Sequence, residues 1–307
     1  MSYTVCHMNK KLLIFVLLSC LLVGVFVAAV LIIFSLYLGK NDDRAAVEKK
    51  PGVAVEETKE RGGQPSKPAW DSTPVNTSNN GISVRLPVLY TQIASPVIVA
   101  GNAVAFENTV SVLVRDERGI IRGRGFATAD APDVGQSGPY KTAVAFDAPP
   151  DTIVYVEVFE ASAKDGLPIH MVRIPVRTAI NFTTVKAFLI KEGEQKARCD
   201  IVHAVTRTVP ETYAVGHAAL DHVLAGPTAE EWQDGYRSIF PPGVDSPVLS
   251  IVDGVAYVEF NKAIRQIVGS CAVTAARAQI EKTLQQFPTV SRVVYSVAGE
   301  SDPVLEP

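Results

Sequence analysis

Apolar and polar positions divide the chain into stretches with different periods. From Leu12 to Leu38 (LLIFVLLSCLLVGVFVAAVLIIFSLYL) no charged residue interrupts the apolar run. Residues 40–87 have almost no apolar period and mix Lys, Glu, Pro, Gly, Ser and Asn. Between Val88 and about Arg177 short alternating runs are broken by turn residues. TVSVLVRDERGIIRGRGFATA predicts two strands around Asp116 to Gly119, and TAVAFDAPPDTIVYVEVFEASAKDGLPIHMVRIPV predicts three more, with turns at Ala148 to Asp151 and Lys164 to Gly166. About ninety residues of such strands without a helical period predict an Ig-like β-sandwich.

The last stretch alternates strands with helices. Thr184 to Ile190 and Ile201 to Val209 read as strands. A helix follows, with Thr212 as its expected N-cap and Ala219, Leu220, Val223 and Leu224 on one side. SPVLSIVD and VAYVEF make a hairpin at Asp253-Gly254, and Val273, Ala276, Ile280, Leu284 and Phe287, spaced by three and four, predict a second helix stopped at Phe287-Pro288. SRVVYSVAG closes with a strand. The order ββαββαβ predicts an α+β domain with two helices on one sheet. Between the first helix and the hairpin, Gly226 reads as the left-handed residue that ends the helix, Pro227 prevents its continuation, and Thr228 caps a short turn across Ala229 to Glu231.

The apolar run exceeds the roughly 20 residues that cross a bilayer, and as a helix at about 1.5 Å per residue it reaches ~40 Å. A cleavable signal peptide has a shorter apolar core and a small-x-small exit site. Leu17-Leu18-Ser19-Cys20 has the look of a lipobox with Cys20 as the lipidated residue, but the run stays apolar long past Cys20. The expectation is a multidomain, single-pass protein of the cell membrane. Lys10 and Lys11 before the span place a short cytoplasmic end at residues 1–11. A transmembrane helix at 12–38, a disordered tether at 39–87, the sandwich at 88–178, the α+β domain at 184–300 and a tail at 301–307 follow, all extracytoplasmic after the span. The tether cannot bury enough surface to offset the entropy of ordering.

Two family resemblances run through the folded stretches. Ser95-Pro96, Gly101-Asn-Ala103, Phe106-Glu107-Asn108, Val110-x-Val112, Asp116…Gly119, Gly138-x-Tyr140, Val144-x-Phe146 and Ile174-x-Val176 resemble the Gmad2 domain, the Ig-like domain of bacterial spore-germination-type envelope proteins, with Tyr140 in place of the usual Phe. Val223-Leu224, Gly226-Pro227-Thr228, Pro241 to Gly243, Asp253-Gly254, Val258 to Asn261 and Thr283 to Phe287 resemble the GerMN domain of sporulation and germination proteins. Phe240 before the turn and Glu259-Phe-Asn261 for Asp-Phe-Ser are its departures. These resemblances imply a cell-envelope binding or assembly protein of spore formation or germination, without catalytic residues or cofactor.

Charge and candidate chemistry add little to that expectation. The formal net charge is -3 and no basic stripe stands out, which gives no footing for nucleic acid. Of the four cysteines, Cys199 and Cys271 fall in the extracytoplasmic part and are the natural disulfide pair. The alternative is a thiolate nucleophile at Cys271 with His203 as base. His217 and His222 lie five apart on one helix, about 140° around its axis, which does not suit two ligands of one metal. Gly135-Gln-Ser-Gly138 lacks the spacing of a nucleophile elbow, and Gly119 to Gly125 lacks the Lys-Ser/Thr end of a phosphate loop. Glu230, Glu231, Trp232 and Asp234 form a candidate interaction turn, either a small carbohydrate patch or a solvated corner. The expected partners are an envelope protein or peptidoglycan, the membrane through the anchor, and a second copy of the chain. A wall hydrolase with an unrecognised site, or an envelope ligand sensor, are the alternative functions.

Overall fold

The computed structural model describes residues 76–300 and Leu305. The expected membrane helix at 12–38 lies outside the described residues, and among the described residues no helix is long and apolar enough to cross a membrane.

Strands β1 (Ser78–Asn79), β2 (Ile82–Leu86), β3 (Gln92–Ile93), β4 (Val97–Ala103), β5 (Thr109–Asp116), β6 (Ile121–Thr128), β7 (Gly138–Val144), β8 (Ile153–Ala161) and β9 (Pro168–Thr178) build two sheets. One is four-stranded in the order β1-β2-β4-β7, the other five-stranded in the order β3-β9-β8-β5-β6. Alternation decides which side chains face inward. Val110, Val112 and Val114 of β5 and Val154, Val156 and Val158 of β8 meet Val99 of β4 and Tyr140 of β7 in one shared core. The odd positions of β8 face the other way, where Glu157 is buried between Arg115 at 3.0 Å and Arg173 at 3.6 Å.

Residues 82–86, expected to belong to the tether, form β2 instead, with Ile82 and Val84 buried in the sandwich core, while residues 39–75 lie outside the described residues. ISVRL alternates as a strand should, although the Asn and Gly residues just before it are of loop composition.

Within Gly119 to Gly125, Gly119 takes the positive φ of 81° in the turn, and Gly123 and Gly125 have a packing reason. A Cβ on Gly123 would stand 2.4 Å from the Ala145 carbonyl oxygen, and one on Gly125 would stand 2.7 Å from Val144 Cγ2. Strand β6 therefore runs close against the end of β7, and an antiparallel bridge between Gly123 and Phe146 joins the two sheets at this corner. Gly123→Ala should destabilise the protein by about 1–3 kcal/mol, the usual cost of forcing atoms into a packed site, read as a lower urea midpoint with an unchanged slope.

Strands β10 (Phe182–Lys191), β11 (His203–Pro210), β12 (Tyr236–Arg237), β13 (Val248–Val252), β14 (Val255–Phe260) and β15 (Arg292–Val297) follow, with helices α1 (Val215–Ala225), α2 (Ala229–Gln233) and α3 (Ser270–Leu284). The single sheet expected here is two three-stranded sheets, β11-β10-β12 and β13-β14-β15. The reason lies in pairing over distance: β10 takes the short β12 on its free side, while β15 returns to run parallel to β14. The core joins Leu189 of β10, Leu220 and Val223 of α1, Val258 and Phe260 of β14 and Ile280 of α3. The expected N-cap Thr212 is displaced by two residues. Ala214 takes that position without a side-chain cap, and the Thr212 hydroxyl accepts from the Ala214 N–H in the turn before it. Phe287 falls after the end of α3 and still packs against the core.

Candidate functional site

Helix α1 ends at Gly226, whose φ of 77° is the positive value expected of glycine, but with ψ at -159° the residue is extended rather than left-handed helical. That region is essentially closed to side chains with a Cβ. Thr228 then forms a capping box: its hydroxyl accepts from the Glu231 N–H at 3.3 Å, and the Glu231 carboxylate accepts from the Thr228 N–H at 2.9 Å. The same carboxylate takes both terminal nitrogens of Arg207, each at 2.6 Å. Arg207 is 1% exposed.

Glu231 is therefore held by the fold rather than offered to a partner. Glu230, Trp232 and Asp234 remain at the exposed surface of the turn. Trp232 is not loose there: the Arg237 guanidinium stacks 3.7 Å from its ring centroid, and Arg237 also donates to the Trp232 carbonyl at 2.8 Å and pairs with Glu192. A stacked guanidinium fixes an aromatic ring and limits the rotamer entropy that binding would cost.

The turn faces the sandwich across an open groove of about 280 Å³ lined by Phe126, Lys141, Thr228 and Trp232. It continues into a second hollow of about 560 Å³ beside Arg122, Arg124, Asp147 and Glu230. The side chains of Phe126 and Trp232 are about half exposed, at 52% and 49%. Aromatic faces, cations and carboxylates thus share one concave surface, suited to a polar partner with apolar faces.

Contacts across the seam fix the two walls of this groove. Lys141 Nζ donates to the Val244 carbonyl, and Arg85 pairs with Asp245 at 2.9 Å. Asn261 ties the same corner internally, donating to the Gly243 carbonyl at 2.9 Å and to Asp245 at 2.8 Å. Burial, aided by the Arg85 charge, pulls the Lys141 ammonium down to about 8.

The remaining sequence candidates go to separate places. Cys199 and Cys271 are joined as a disulfide with Cα atoms 5.1 Å apart, so Cys271 is not a free thiol. His203 Nε2 is instead 2.6 Å from Glu194. His217 is on the surface with Ser246 and Asp221, at 3.2 and 3.5 Å. His222 is buried, and its Nδ1 has no hydrogen-bond partner. Ser137 belongs to the turn before β7, while Gly138 begins that strand and passes close to the Asp130-Ala131 backbone.

Burial first, and the Arg207 charge second, push the His222 imidazole down to about 3. Asp221 on the same helix is paired with Ser246 and His217. Folded His222 therefore stays neutral where an unfolded histidine, near 6.5, takes up a proton. The unfolded state gains protons as the pH falls from about 6.5 toward 3, so stability is lost in that window, at about 1.4 kcal/mol per pH unit once the unfolded ring is charged. His222→Phe should show a shallower loss than the parent between pH 6 and 4 in urea titrations. Equal slopes would mean that His222 is not the group responsible.

Sequence reasoning missed the Arg207–Glu231 pair and the Lys141–Val244 contact. A single basic residue in an alternating strand is an ordinary surface residue by pattern, and the partners lie 24 and 103 positions away. A weak signal existed for the first: Arg207 stands between Val205 and Val209, at an inward position of β11.

Residues 81–167 match the family model described as the immunoglobulin-like domain of bacterial spore germination. Residues 186–302 match the one described as sporulation and spore germination. No curated protein is significantly similar. Among solved structures, the tandem GerMN domains of the sporulation protein GerM from Bacillus subtilis align at 17% identity and a TM-score of 0.33 over 40% of this chain and 41% of that one. The first GerMN domain of the same protein aligns at 18% identity and a TM-score of 0.31 over 39% of this chain and 86% of that one. This chain thus spans less than half of the tandem structure.

Proposed function

We propose that this is a membrane-anchored, extracytoplasmic binding or assembly protein of the bacterial cell envelope, acting in spore formation or germination by holding a partner rather than by turning over a substrate. The two family matches support the sporulation and germination setting. The uninterrupted apolar run from Leu12 to Leu38 and the preceding Lys10-Lys11 pair support the anchor and its orientation.

The observation that carries the binding reading is the propped turn on the groove. Trp232 is fixed by Arg237 yet half exposed, beside Glu230 and opposite Phe126 on the sandwich. A fixed aromatic with a polar rim is the kind of anchor that dominates interface energetics. The partner is peptidoglycan or another envelope protein. Self-association has a separate surface available, since β13 is an edge strand with Val248 and Val252 exposed. An array tethered at one membrane raises local concentration and strengthens weak contacts of either kind.

Co-sedimentation of the full-length chain, in detergent, with purified peptidoglycan and with solubilised envelope proteins from a sporulating bacterium tests this reading. Saturable binding to either, with no soluble wall fragments released, is the expected result. Catalytic release of fragments would replace the binding reading with a hydrolase.

A further inference from the structure

A second concavity lies where helix α1 and strand β11 meet the sandwich. It measures about 310 Å³ and is walled by Leu86, Pro87, Ile93 and Val97 on one side and by Val209 and His222 on the other. That volume falls at the lower end of small-molecule sites, which favour apolar walls, a few polar groups and the junction of two domains.

Thr91, Gln92, Thr208 and Asp221 also stand on the lining, and His222 is its buried polar group. It is 5% exposed and lines the cavity, while its Nδ1 is shut away without a partner. The ring therefore meets the cavity through the opposite edge, which carries Nε2. A neutral imidazole has one N–H and one bare nitrogen. A buried N–H left without an acceptor is the rarer and more costly orphan, so the bare nitrogen belongs at Nδ1 and the proton at Nε2. A buried hydrogen-bond donor thus faces a largely apolar hollow, apart from the rim groups Gln92 and Thr208 and the Thr91 hydroxyl, which already donates to the Val88 carbonyl at 2.7 Å. The anionic side chain on the lining is Asp221, which pairs with Ser246 and His217 and disfavours a negatively charged occupant.

We infer that this cavity binds a small neutral molecule with an apolar body and one hydrogen-bond acceptor, such as a ketone, ester or amide carbonyl, held by His222 Nε2–H. An apolar molecule without the acceptor leaves the N–H unanswered, and an anion meets Asp221. Because both domains supply walls, an occupant also ties the sandwich to the α+β domain.

Benzophenone is a suitable probe, being a neutral ketone with two apolar rings that inserts into nearby C–H bonds under ultraviolet light. The full-length chain in detergent is irradiated over a range of benzophenone concentrations, and labelled peptides are mapped by mass spectrometry. Expected is saturable labelling of the segments 86–98 and 208–222, displaced by acetophenone at about one-tenth the concentration of ethylbenzene, the tenfold ratio that a hydrogen bond of ~1.4 kcal/mol supplies. Benzoate should displace it no better than ethylbenzene. His222→Phe, of similar shape and without the donor, should abolish the preference for acetophenone over ethylbenzene. If that variant does not fold, the competition on the parent protein still decides. Labelling that does not saturate, that concentrates elsewhere, or that acetophenone and ethylbenzene displace equally well overturns the inference.

Discussion

Glu231→Ala should lower the unfolding free energy by about 3–5 kcal/mol, the range seen when one partner of a buried ion pair is removed. The guanidinium of Arg207 has 2% of its side chain exposed, and both of its terminal nitrogens rest on Glu231. Without that carboxylate a charge stays buried with the Thr206 and Gly226 carbonyls as its remaining acceptors. The capping box at Thr228 is lost as well, which removes a contribution typically near 1 kcal/mol. The reverse substitution should be milder. Arg207→Met replaces a buried cation with an apolar chain of similar length, and the orphaned Glu231, with 21% of its side chain exposed, can still reach water and keep its cap. Urea midpoints of the two single variants and the double variant measure the asymmetry. Costs below about 1 kcal/mol for both would show that the pair is held as loosely as a surface ion pair.

Removing the disulfide is the other change with a large expected effect. Cys199 and Cys271 are 72 residues apart, and their bond links the loop after β10 to the first turn of α3. Closing a loop of that length stabilises the folded state by about 4 kcal/mol in the chain-entropy model. Cys199→Ser with Cys271→Ser should lower the melting temperature by about 8–16 °C, at the usual ~2–4 °C per kcal/mol for a folded part of this size. Reduction of the parent protein should reproduce the loss. A double variant that melts with the parent would mean that the bond is absent from the protein in solution. That result would restore Cys271 as a candidate thiol.

Much of the fold is legible in local pattern. The hairpin at Asp253-Gly254 is formed by β13 and β14, and Val273, Ala276, Ile280 and Leu284 are the buried stripe of α3. These features rest on spacing within one element. The two-residue strands β1, β3 and β12 are too short to carry a period, and the separation of the second domain into two sheets depends on which distant edges pair. The site divides in the same way. Gly226, Pro227 and Thr228 announce a helix stop and a new cap by residue type alone. That Glu231 belongs to Arg207 while Glu230 and Asp234 do not follows from three-dimensional neighbours, since the three carboxylates are alike in sequence. His222 is similar: a helical pattern places it beside Val223, but its burial against the sandwich comes from residues more than a hundred positions earlier.

The direct measurement of whether this turn is a binding face is charge reversal at Glu230 and Asp234 together, with Glu231 left in place so that the fold keeps its buried pair. The full-length variant and parent are compared for binding to peptidoglycan and to the envelope partners recovered with the parent, and for melting temperature. Loss of binding by tenfold or more with a melting temperature within a degree or two of the parent is the result expected of a binding face. Undiminished binding at the same melting temperature would reduce the turn to the stop of one helix and the start of the next, and contradict its role as a binding face.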